Sequence, residues 1–141
     1  MKTQLTLFSF GYWGWGNATR RLVKAVDAVE TARGFNPPVF VDTRIRRSVR
    51  AAGFNGSVFE KQLGPARHVW MKSLGNKRIV SRSGPMIQIA EPEAANDLLD
   101  LAIRSQQHDR RLLFFCSCQW PRWKGGRCHR TAIADLVLKI A

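Results

Sequence analysis

Apolar and polar positions along the chain predict short strands separated by helices. Leu5, Leu7, Phe8 and Phe10 mark a first strand. Leu22, Val23, Val26 and Val29 then recur at helical spacing, with Arg20, Arg21, Lys24 and Glu30 on the other face. This predicts an amphipathic helix capped by Asn17, its apolar stripe in the core. The stretch 34–38 ends it, and Val39-Phe40-Val41 predicts a second strand closing at Asp42. Ser57 and Glu60 have the spacing of a capping box, which predicts a short helix stopped at Gly64-Pro65. Arg67 to Met71 reads as a third strand, and Lys77, Arg78 and Arg82 fall in a loop closed by Gly84-Pro85. Glu91-Pro92-Glu93 is a helix start, followed by the stripe Ala94, Leu98, Leu101 and Ala102. Leu112 to Phe115 predicts a buried strand, and Ala132, Ile133, Leu136, Val137 and Ile140 the inner face of a last helix over 131–140.

Strands alternating with helices predict an α/β fold, a mostly parallel sheet flanked by helices. With no repeat and no dividing linker, residues 1–141 are expected to form a single compact domain. Ligands of such sheets sit outside the carboxyl ends of the strands. Gly11 to Gly16, Asp42 with its arginines, Leu74-Gly75-Asn76 and the stretch 116–130 each follow a strand. They are therefore expected along one edge.

Composition narrows the class. The 141 residues are 45% hydrophobic and 23% charged, which excludes a disordered chain. Three cysteines, two of them one residue apart, argue against a disulfide framework and for a reducing, cytoplasmic setting. No apolar stretch is long enough for a membrane span, and residues 1–10 lack the apolar core of a signal peptide. No membrane partner is expected. No dinucleotide fingerprint, Walker loop, H-E-x-x-H or G-x-S-x-G occurs, so no cofactor is expected either.

Charge changes the picture most. The net charge is +13, and between Thr43 and Arg82 ten basic residues face one acid. Arg44, Arg46, Arg47 and Arg50 cannot all pair with Asp42, and arginine forks suit phosphate. Tyr12, Trp13, Trp15, Trp120 and Trp123 add flat faces on which bases stack. The expected partner is nucleic acid or another phosphate-bearing ligand.

Candidate chemistry concentrates in Cys116-Ser117-Cys118 and in Cys128-His129-Arg130. Helix-start N–H groups and Arg127 or Arg130 favour a thiolate at Cys128, with His129 or Asp42 handling protons. The alternative is a buried cysteine that merely packs. Cys116, Cys118, Cys128 and His129 are zinc donors by type, but a C-x-C-x9-C-H spacing suits a tetrahedral centre poorly, so no metal is expected.

Together, Gly11-Tyr12, Asp42-Thr43-Arg44, Gly53-Phe54-Asn55, Leu74-Gly75-Asn76, Cys116 and Cys128-His129-Arg130 resemble the pattern of the bacterial and archaeal proteins grouped as domain of unknown function 488. The likeness runs in order over nearly the whole chain. Cys118 stands where the family usually has an acid, and the loop to Cys128 is longer. The resemblance implies an α/β fold and places the site at the matching residues. The expected function is binding of nucleic acid or nucleotide at the carboxyl edge, by Arg44, Arg46, Arg47, Arg130, Tyr12, Trp13, Cys116 and Asn76. The alternative is an enzyme acting on that ligand through Cys128, His129 and Asp42.

Overall fold

The computed structural model describes residues 5–12, 14–85, 87–117, 122–123, 126–127 and 129–141, with backbone alone at 122–123 and 126–127. Four parallel strands make the sheet: β1 (Leu7–Gly11), β2 (Asn36–Asp42), β3 (His68–Trp70) and β4 (Arg110–Cys116). Their order is β1-β4-β2-β3, so the last strand is inserted between the first two. β5 (Arg122–Trp123) and β6 (Gly126–Arg127) form a separate antiparallel pair. The helices are α1 (Thr19–Ala32), α2 (Val58–Leu63), α3 (Arg78–Ser81), α4 (Ala95–Gln106) and α5 (His129–Ile140).

The central strands β2 and β4 carry near-continuous apolar runs because both faces of a parallel sheet are covered. Alternation divides their side chains. Val39, Val41, Leu112 and Phe114 meet Ala95, Leu98 and Ala102 of α4 and Ile133 and Val137 of α5. Phe40 and Phe115 turn to the other face, where Leu22 of α1, Phe59 of α2, Tyr12 and Phe54 close a mainly aromatic cluster. Phe115 contacts Phe10, Phe54 and Phe59 with ring centroids 5.2–5.6 Å apart.

Several boundaries differ from the sequence expectations. Ala18, not Asn17, stands at the N-cap of α1, and no side chain caps it; neither does Ser57 make a capping bond at α2. In α1, Val29 is 51% exposed whereas Glu30 is buried. The cause is Arg111 of β4, which lies against Phe8 and Phe35 and donates from Nε and Nη2 to the Glu30 carboxylate. That contact holds the Arg111 pKa above its ordinary value, since the hydrogen bond to Glu30 outweighs burial. Ile140, expected on the inner face of α5, is exposed. Pro92–Ala94 forms a single 3-10 turn before α4, and the basic stretch expected as a loop contains the one-turn helix α3.

Candidate functional site at the carboxyl edge

β2 delivers Asp42 and Thr43 to the carboxyl edge, where alternation sends them to opposite faces. Asp42 follows Phe40 and is fully buried. Arg44, two residues on, returns to the same side and closes on it. Arg44 Nε donates to Asp42 Oδ1 at 2.9 Å, Nη2 to Oδ2 at 2.7 Å, and the Arg44 backbone N–H to Oδ1 at 3.0 Å. Nη1 donates to the Phe54 carbonyl at 2.8 Å and reaches the Tyr12 hydroxyl at 3.4 Å. The guanidinium lies 5.2 Å from the Tyr12 ring centre and 5.8 Å from that of Phe115. Burial alone would lower the Arg44 pKa; its bonds to Asp42 reverse the sign and hold it above its ordinary value. Burial raises the Tyr12 phenol, against the opposing pull of Arg44. Tyr12, stacked on Phe54 at 4.2 Å, is thus a neutral wall of this assembly.

Thr43 faces α5. Its hydroxyl donates to the Phe115 carbonyl at 2.8 Å. His129 Nε2, at the first residue of α5, lies 3.1 Å from the Thr43 carbonyl and 3.3 Å from its hydroxyl. A carbonyl only accepts, so Nε2 carries a proton. Asp42 and His129 therefore reach one edge from different faces of the sheet. Buried Cys116 ends β4 opposite Gly11 and accepts the Tyr12 N–H on its carbonyl. Arg130, also buried, donates from Nη1 to Ser9 Oγ at 3.3 Å. Trp13, Cys118, Trp120 and Cys128 lie outside the described residues, as do the side chains of Trp123 and Arg127.

The other candidates spread over the rim. Arg46 and Arg50 are exposed. Arg47 binds Glu60 at 2.7 Å and stacks 3.8 Å above the Trp70 ring, and its hydrogen bond lowers the Glu60 pKa. Trp70, not among the expected residues, donates its indole N–H to the Arg44 carbonyl at 2.7 Å and is 39% exposed. Its only signal in the sequence is a tryptophan within the expected strand Arg67 to Met71. The Asn76 side chain accepts from the backbone N–H of Arg78 and of Gln88, pinning a turn. Gly16 is used for packing: a Cβ there would meet Ala51 Cβ at 2.7 Å, and the Gly53 N–H donates to its carbonyl.

Compared with protein-family models, curated proteins and solved structures, the chain matches none.

Proposed function

We propose that this protein binds single-stranded nucleic acid, or a nucleotide of the same chemistry, across the basic rim at the carboxyl edge. One observation carries the reading. Asp42 and Glu60 are both taken, by Arg44 and Arg47, and Asp27 is taken by Arg67. Arg46, Arg50, Lys61, Lys72, Lys77, Arg78 and Arg82, all in segments after β2 or β3, have no carboxylate within salt-bridge reach among the described residues. Their charge is left for an outside anion, and Trp15 adds a partly exposed ring for stacking beside it. The resemblance to domain of unknown function 488 agrees with a site at this edge.

The test is fluorescence anisotropy on a labelled single-stranded oligonucleotide over a sodium chloride series. Each phosphate contact contributes roughly −0.7 to the slope of log K against log salt. Arg46→Ala with Arg50→Ala removes two exposed cations and is expected to flatten that slope by about 1.4. Absence of binding at low salt refutes the reading.

Buried His129, held against Thr43 at the start of α5, supports a second reading, an enzyme on the same ligand with Cys128 as nucleophile. There His129 handles the proton, because Arg44 occupies both Asp42 oxygens. Iodoacetamide alkylation across pH is expected to modify Cys128 well below the ~8.5 of an ordinary thiol and ahead of buried Cys116. A Cys128 that titrates normally leaves binding alone.

A further inference from the structure

The turn after β3 contains a group that the rim does not explain. In α3 the usual pattern is inverted: Ile79 and Val80 are 52% and 50% exposed, while Arg78 is half-buried. Its Nε and Nη1 are cut off from solvent and meet no hydrogen-bond partner. No carboxylate reaches it among the described residues. A buried lysine or histidine relieves such a position by losing its proton, but a guanidinium does not. Three N–H bonds on those two nitrogens are therefore unsatisfied, a costly arrangement unless acceptors arrive from outside.

The surrounding chain holds the group in place. Asn76 Oδ1 accepts from the Arg78 N–H at 3.2 Å and the Gln88 N–H at 2.9 Å, and Asn76 bridges to Ile89. Three residues before Arg78, Gly75 lies so close to Ile45 that a Cβ would stand 2.6 Å from the Ile45 nitrogen. Gly75, ahead of α3, is thereby packed against the segment that follows Arg44, at the carboxyl end of β2. Lys72, Lys77 and Arg82 flank the turn on the surface without acids. A one-turn helix with its apolar residues in solvent has few buried contacts to hold it down and lifts at low cost.

We infer that Arg78 is the inner anion-binding residue of the carboxyl edge and takes a phosphate group, with α3 lifting to admit it. The inference rests on the phosphate-ligand reading above and names the residue that would grip the phosphate. The cationic flanks favour a multiply charged oxyanion over a single carboxylate.

Three measurements at constant ionic strength test this on the full chain: Tm without ligand, inorganic phosphate affinity by calorimetry, and oligonucleotide affinity. Arg78→Met is expected to keep or raise the ligand-free Tm, since no bond is lost, while weakening phosphate binding at least tenfold. Arg78→Lys, which keeps charge without the fork, is expected to fall between. A drop in ligand-free Tm for Arg78→Met overturns the inference, as does unchanged phosphate affinity or a wild-type protein that does not bind inorganic phosphate. If the oligonucleotide still binds in those cases, the rim reading stands alone; if nothing anionic binds, both fall.

Discussion

Breaking the Asp42–Arg44 pair from one side leaves the other charge buried and alone. Arg44→Met strips Asp42 of two side-chain bonds, and is expected to cost about 3–5 kcal/mol in urea unfolding. Replacing both, Asp42→Leu with Arg44→Met, is expected to recover most of that loss, because an apolar pair of similar volume avoids the desolvation of both ions. A single-variant cost under about 1 kcal/mol, the size of a surface pair, would deny the pair its part in closing the edge. At this scale some of the site was legible. An acid at a strand end with arginine two residues on marks the edge, and period-two alternation already puts both on one side. The contact between Thr43 and His129 was not legible, because 86 positions separate the partners and only the insertion of β4 beside β2 brings α5 to that strand. Arg78 was hidden for a different reason. In the sequence it is like every other basic residue of its segment, and only its two enclosed, unpartnered nitrogens set it apart.

Among the elements, those with strong apolar periodicity were readable: β4, β3, the core of β2 and the stripe of α4 fall where the pattern puts them. The failures trace to tertiary contacts that override local preference. β2 begins at Asn36 and runs through Pro37 and Pro38, although proline cannot donate to a ladder; the register with β4 shifts at that point, between Asn36 and Val39. Glu30 of α1 is buried because Arg111 of β4 pairs with it. β3 carries a consequence of its own. His68 is buried against Phe59 and Phe115, and its Nδ1 has no partner. Burial lowers its pKa below the ordinary 6.5; Asp42 and Glu60 pull it up, and Arg47 and Arg44 push it down. Below pH 6.5 the unfolded chain takes up the proton first, so stability falls as pH drops through that window and levels once the folded protein protonates too. His68→Leu is expected to remove this part of the slope. Identical pH slopes for the two proteins between pH 5 and 7 would mean that His68 finds a partner or solvent.

At the scale of the whole molecule, charge is poorly compensated. The chain carries +13, and the four ion pairs of the described residues link arginines to partly or fully buried carboxylates. Salt acts unequally on these two populations. Exposed cations repel one another through solvent, and the Debye length is only ~10 Å at 0.1 M, so added salt relieves their repulsion. Bidentate contacts such as Arg44 with Asp42 and Arg111 with Glu30 are partly shielded from it. Raising sodium chloride from about 10 mM to about 200 mM is therefore expected to increase Tm, by about 4 °C for each kcal/mol of repulsion removed in a chain of this size. Replacing Arg46, Arg50 and Lys72 by glutamate is expected to raise the low-salt Tm and flatten the salt response together, because the same repulsion underlies both. Those replacements also place carboxylates where phosphates are proposed to bind, so oligonucleotide affinity is expected to fall as low-salt stability rises. The opposite signs are the discriminating feature: a damaged fold loses stability and affinity together, whereas a rim kept basic for an anionic ligand gains the first and loses the second. A wild-type Tm that is flat or falling with salt would show that the cations of the rim are compensated within the protein.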